Sequence, residues 1–305
     1  MRIREAAPSR RALLTVSAGT ALAAALPAGT ARAATSRAGT AVVDRLRALE
    51  RAYGARLGVY AWDAATGRTV RHRADEPFPQ CSVFKTLAVA AVLRDLDHDG
   101  SHLARRIHYT GQDVTDAGGG EVTKLPENIA GGLTVAELCS AAITRSDNAA
   151  ANLLLRELGG PTAVTRFCRS LGDRTTRLDR WEPELNSAEP WRTDDTTSPR
   201  AIGRTYARLV LGDALAPADR ERLGGWLLAN TTSGTRLRAG LPRDWAVADK
   251  TGAGSYGTNN DVGIAWPPGR PPLVLAILTT RPDAAAPRDD ALIARTAELL
   301  ADTLA

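Results

Sequence analysis

The stretch QCSVFKTLAVAAVL, residues 80–93, carries one serine and one lysine three positions apart at the mouth of an apolar run. From Val83 onward it is apolar on nearly every side of a helix, which marks a buried helix. At i and i+3, Ser82 and Lys85 share one helical face. Lysine is scarce: of 39 Lys+Arg residues only Lys85, Lys124 and Lys250 are lysines. Arginine supplies positive charge everywhere else, and lysine differs from it in releasing its proton when desolvated. A lysine leaving a buried helix can therefore take a proton from a neighbouring hydroxyl. Ser82 would stand at the helix N-terminus, where the macrodipole favours developing negative charge. The plain alternative is a serine N-cap beside a snorkelling lysine.

Working outward, strand signals lie at both chain ends. Residues 56–63 and 68–73 read as a hairpin turning at Ala64-Ala65-Thr66-Gly67, and 245–250, 258–266 and 272–279 read as strands. Residues 38–52 form an amphipathic helix with apolar Val42, Leu46 and Leu49, and 289–304 a closing helix. Between 83 and 228 the signals are helical, interrupted by one Pro- and acid-rich loop at 179–199. The expected fold is α+β: an antiparallel sheet from both chain ends flanked by helices, with an inserted all-helical domain. The α/β domain takes 34–83 plus 229–305 and the helical domain 84–228, with a cleft between them as the natural site.

Ser9-Arg10-Arg11-Ala12-Leu13-Leu14 is a twin-arginine pattern, and Ala31-Arg32-Ala33 offers an A-x-A cleavage site, so 1–33 reads as a signal peptide. A membrane anchor is the competing reading, but Ser17, Gly19, Thr20, Pro27 and Gly29 interrupt the run. Residues 1–33 hold five arginines and one glutamate, +4 of the formal +5, so the mature chain is near +1. Neither nucleic-acid nor membrane binding follows from the charge. The expected product is exported, soluble and monomeric.

Cys81, Cys139 and Cys168 show no C-x-x-C spacing, and His72, His98, His102 and His108 show no zinc spacing. A metalloenzyme is disfavoured, and no histidine lies downstream to serve a Ser-His-Asp triad. Something other than histidine must move protons.

Two further stretches join Ser82-x-x-Lys85. Ser146-Asp147-Asn148, alone, is an N-cap cluster between two helices; Lys250-Thr251-Gly252, alone, is a strand end followed by a turn. In this order, at separations of 64 and 104 residues, S-x-x-K, S-D-N and K-T-G resemble the motif set of the serine β-lactamase/D,D-peptidase superfamily. The resemblance covers 38–304. Arg180-Trp181-Glu182-Pro183-Glu184-Leu185-Asn186 is similar to the omega-loop motif of class A β-lactamases, which the peptidases lack; an acidic surface loop is its plain reading.

The resemblance implies Ser82 as the acylated nucleophile and Lys85 as its proton partner. It implies Ser146 as the hydroxyl that protonates the departing nitrogen and Asn148 as a donor to the substrate's side-chain amide. Lys250 and Thr251 of K-T-G (Gly252 completes it) would hold the substrate carboxylate. The amides of Ser82 and Ala253 would form the oxyanion hole, and Glu182 with Asn186 would hold the hydrolytic water. Whether Lys85 or Glu182 deprotonates Ser82 stays open. Where many members carry a carboxylate-binding arginine this chain has Asn259, and Arg236 matches the loop arginine of some actinobacterial members. The usual disulfide partners of Cys139 and Cys81 fall on Val89 and Gly254, so no disulfide is expected. No aromatic residue occurs between Tyr109 and Phe167, so the one that often flanks the cleft entrance is absent. The implied activity is hydrolysis of penicillins and some cephalosporins without a cofactor; a cell-wall D,D-carboxypeptidase and a non-catalytic binding protein on the same scaffold are the alternatives.

Overall fold

The computed structural model describes residues 28–305, with side chains from 40. The twin-arginine pattern lies outside the described residues, as do the side chains of Ala31-Arg32-Ala33. Residues 39–305 form one compact unit.

The chain enters through α1 (Ala28–Tyr53), the hairpin β1 (Arg56–Asp63) and β2 (Thr69–His72), and the short β3 (Phe78–Pro79). The helical block holds α2 (Phe84–Ala91), α3 (Ser101–Ala104), α4 (Gly111–Asp116), α5 (Pro126–Gly131) and α6 (Val135–Thr144), with β4 (Arg106–Ile107) and β5 (Leu133–Thr134) between them. It continues through α7 (Asn148–Leu158), α8 (Thr162–Ser170), β6 (Thr196–Thr197), α9 (Pro199–Val210) and α10 (Pro217–Leu228). After α11 (Leu237–Gly240) come β7 (Ala246–Ala253), β8 (Asn259–Trp266) and β9 (Leu273–Thr280), then α12 (Asp290–Leu304).

The main sheet has the order β2-β1-β9-β8-β7, antiparallel throughout. Strands from the two chain ends meet at β1 and β9, in register from Arg56 opposite Thr280 to Asp63 opposite Leu273. Every residue of β9 is buried, because the sheet is covered on both faces. One face packs Leu57, Val59, Leu275 and Ile277 with Leu46 of α1 and Leu292, Leu299 and Leu300 of α12. The other packs Tyr60, Val262, Ile264 and Ala276 with Phe78, Phe84 and Tyr206. α9 lies close on this second face: a Cβ at Gly58 would fall 2.5 Å from the Phe78 ring and 2.8 Å from Pro199, so only glycine admits the contact.

α2 is buried along its whole length and packs on α6, α7 and α8, as an all-apolar helix requires. Two local features differ from the sequence reading. Ser82 belongs to a 3-10 turn, Cys81–Val83, and makes no side-chain cap bond; the α-helix begins at Phe84. K-T-G does not end a strand but lies inside β7, with Lys250 opposite Val262, Thr251 opposite Asp261 and Gly252 opposite Asn260. Pairing with β8 extends the strand through a glycine that reads locally as a turn.

Candidate active site

Ser82 reaches the site from the turn before α2, with 7% of its surface exposed, and its Oγ donates to Glu182 Oε1 at 3.4 Å. One turn on, fully buried Lys85 donates from Nζ to Asn148 Oδ1 at 2.6 Å, Ser146 O at 2.8 Å and Ser146 Oγ at 3.5 Å. The same ammonium lies 3.0 Å from Glu182 Oε1. Burial isolates this ion pair from water, so its charges must be matched locally. Asn148 and Ser146 supply that match from one segment and Glu182 from another.

Ser146 holds a left-handed conformation, φ 55°, which an L residue adopts only where its surroundings enforce it. Asp147 provides the enforcement. Its carboxylate caps α7 through Ala150 N at 2.9 Å and accepts from Val122 N, Thr123 N and Thr123 Oγ1 at 2.8–3.0 Å. Asp147 is thus the N-cap, and Ser146 and Asn148 on either side face the two lysines. Lys250 Nζ donates to Ser146 Oγ at 2.9 Å and to Thr251 O at 2.9 Å. Burial, with the neighbouring Lys85 charge, holds the Lys250 ammonium well below the ordinary lysine range. With both ammoniums donating to Ser146 Oγ, the serine's own hydrogen is left to point elsewhere.

Gly252 brings β7 against the Ser82 turn: a Cβ there would stand 2.7 Å from Gln80 O and 3.2 Å from Val83 N. Thr251 Oγ1 bonds Thr232 Oγ1 at 2.5 Å, and Ala253 follows as the last residue of β7. Asn260 on β8 donates to Pro79 O and Gln80 O at 2.9 and 3.2 Å, fixing the segment that leads into Ser82.

Glu182 and Asn186 come from the loop at 179–199. Asn186, in the 3-10 turn Glu184–Ser187, donates from Nδ2 to Glu182 Oε2, while its buried Oδ1 accepts from no protein group. Asn152 clamps the backbone of Glu182 from α7, Nδ2 to O at 2.8 Å and N to Oδ1 at 3.0 Å. The loop closes through Arg180 Nε to Asp195 Oδ2 at 2.5 Å, and Asp195 Oδ1 accepts from Asp179 N and Arg180 N. Gln80 N in turn donates to Asp195 O at 2.9 Å, coupling the loop to the residue two before Ser82. Exposed Trp191 of this loop meets Tyr256 edge to face at 5.4 Å.

Arg236 and Asn259 meet on one carboxylate: Asp290 Oδ1 accepts from Arg236 Nε at 2.8 Å and from Asn259 Nδ2 at 2.9 Å. Arg236 Nη1 also reaches Asn260 O at 3.4 Å. The three cysteines are free and buried, and a Cβ at Gly254 would stand 2.9 Å from Cys81 Sγ. Among the described residues no cluster of three His, Cys, Asp or Glu could hold a metal ion.

The sequence reading did not single out Asn152, Asn260, Thr232 or Asp290. Asn152 carried a faint signal, four residues after Asn148 and so on the same face of α7. Asn260 carried another, an amide inside a buried strand, where it must find partners.

A sheet joining both chain ends, inserted helices, and S-x-x-K, S-D-N and K-T-G gathered around one buried ion pair define the serine β-lactamase/D,D-peptidase class. The family model described as "Beta-lactamase enzyme family" matches residues 41–304. The chain is 68% identical to a β-lactamase of Streptomyces lavendulae over 98% of both chains, and 49% identical to β-lactamase AST-1 of Nocardia asteroides over 87% and 84%. The solved β-lactamase of Streptomyces albus G superposes with a TM-score of 0.86 at 67% identity, over 87% of this chain and 99% of that one. The chain belongs to the β-lactamase enzyme family and is a class A β-lactamase of the actinobacterial type.

Proposed function

We propose that this β-lactamase hydrolyses penicillins and some cephalosporins through an acyl-enzyme on Ser82. The observation that carries the reading is the shared Glu182 carboxylate, which touches Ser82, Lys85 and Asn186 at once. In acylation Ser82 Oγ attacks the lactam carbonyl and its proton passes to the Lys85–Glu182 pair. The C–N bond then breaks, and Ser146, poised between the two lysines, delivers a proton to the departing nitrogen. The amides of Ser82 and Ala253 receive the oxyanion, each donor contributing roughly 10²–10³ in rate. Lys250, Thr251 and Arg236 hold the substrate carboxylate, with Gly252 allowing the close approach, and Asn148 donates to the side-chain amide. In deacylation Glu182 takes a proton from a water that the free Asn186 Oδ1 helps to hold. The water oxygen attacks the ester, and Ser82 leaves with a proton returned to its Oγ.

The 1–33 segment directs export by the twin-arginine route, leaving a monomer that begins at Ala34 and works outside the cytoplasm. The test is purified mature protein with benzylpenicillin and a chromogenic cephalosporin, followed by intact-mass analysis. Turnover with a transient adduct on Ser82 is expected. Release of terminal D-alanine from cell-wall peptides without β-lactam turnover would overturn the substrate assignment.

A further inference from the structure

A cavity of about 260 Å³, none of whose lining residues belongs to the constellation around Ser82, is lined by four arginines, Arg174, Arg200, Arg204 and Arg208, with Asp75 and Asp173. It lies at the neck of the loop at 179–199: Arg174 precedes the loop and Arg200 follows it. Arg200, Arg204 and Arg208 repeat every four residues along one face of α9, a spacing at which like charges oppose the helix.

The cavity's own carboxylates do not balance these charges. Asp75 accepts from Arg200 Nη2 at 2.6 Å. Asp173 is already occupied, taking Thr175 N, Thr176 N, Thr176 Oγ1 and Thr205 Oγ1 at 2.5–3.0 Å. The side chains of Arg174 and Arg204 bond to no described residue, and Arg200 Nε is buried without an acceptor. A buried donor left unpaired calls for an acceptor, and planar guanidinium forks match tetrahedral oxyanions in bidentate fashion. The volume suffices for such an ion, since one water takes about 30 Å³ of liquid.

We infer that this cavity binds a phosphate-type oxyanion of two or more negative charges. The bound anion accepts from Arg174 on one side of the loop neck and from Arg200 and Arg204 on the other, bracing both loop ends. This inference is independent of the catalytic roles proposed above.

Thermal unfolding of the purified protein, at one ionic strength in chloride, inorganic phosphate or pyrophosphate, tests it. Saturating pyrophosphate is expected to raise Tm by roughly 2–4 °C over chloride, with one anion bound per chain in equilibrium dialysis. The double variant Arg174→Ala/Arg204→Ala removes two exposed, unbonded side chains. It is expected to keep the chloride Tm and the rate of β-lactam hydrolysis while losing the rise. No rise beyond chloride would mean that the cavity holds water only, and an equal rise in the double variant would place the anion elsewhere; either overturns the inference.

Discussion

Glu182 and Lys85 form an ion pair 3.0 Å apart in which neither side chain is exposed, so removing one partner strands the other in a low-dielectric site. The two steps of the reaction depend on them unequally. In the proposed mechanism Lys85 remains to deprotonate Ser82 when Glu182 is lost, but nothing else stands ready to take a proton from the deacylating water. Glu182→Ala is therefore predicted to lower turnover by roughly 10²–10⁴ while a mass increase on Ser82 persists long after mixing with penicillin. Wild-type turnover in that variant would reduce the Glu182–Asn186 contact to loop architecture. Lys250 gives a second test. Its depressed pKa means that the ammonium proposed to meet the substrate carboxylate is lost at a lower pH than for a free lysine. KM is expected to climb with pH along a limb below the ordinary lysine value of about 10.4, and Lys250→Arg, which does not titrate, should abolish that limb. The unfolded chain holds this proton more tightly than the folded one, so this group's contribution to stability increases with pH between the two values. The residues that gather around the buried ion pair were legible because motif spacing survives in one dimension. Asn152 and Asp290 were not, because they act on Glu182 and Arg236 only after distant segments meet.

At the scale of elements, the loop at 179–199 is closed at its neck by one buried carboxylate. Asp195 is 1% exposed, pairs with Arg180 and also accepts from two backbone amides. Truncating it leaves two backbone amides and the Nε of a part-buried guanidinium unmatched, while Ser187 Oγ and Glu189 still meet the rest of that guanidinium. Because Arg180 keeps 24% exposure, the cost of Asp195→Ala is expected near the lower end of about 3–5 kcal/mol. That corresponds to a Tm drop of roughly 6–12 °C for a chain of this size, with slower hydrolysis because Glu182 rides on the loop. An unchanged melting temperature and unchanged rates would show that other contacts hold the loop. The end of β7 did not follow from local signals. Residues 250–253 lack a hydrophobic alternation, and their strand conformation comes from pairing with β8, whose register no local pattern records.

For the whole molecule, the helices α1 and α12 cover the sheet face opposite the constellation around Ser82. Leu300 is fully buried there among Leu46, Leu275 and Leu292. Leu300→Ala is expected to cost about 2–5 kcal/mol in urea unfolding and to leave kcat/KM of the folded fraction unchanged. A selective loss of kcat/KM at full stability would contradict the division into two layers. Strand material at both chain ends made the sheet legible from sequence; the strand order within it was not, because partners lie more than 200 residues apart. That separation also has a consequence in time. β1 is synthesised early, but its partner β9 is completed at Thr280 in a chain of 305 residues. At about 5–20 residues per second, the first hairpin leaves the ribosome roughly ten seconds to most of a minute before its partner strand exists. During that wait the β1 edge is unpaired, a ready template for strand addition from another nascent chain. Ribosome-bound chains stalled before Leu273 should therefore be protease-sensitive throughout the sheet, and the yield of native enzyme should depend on what shields that edge until synthesis ends.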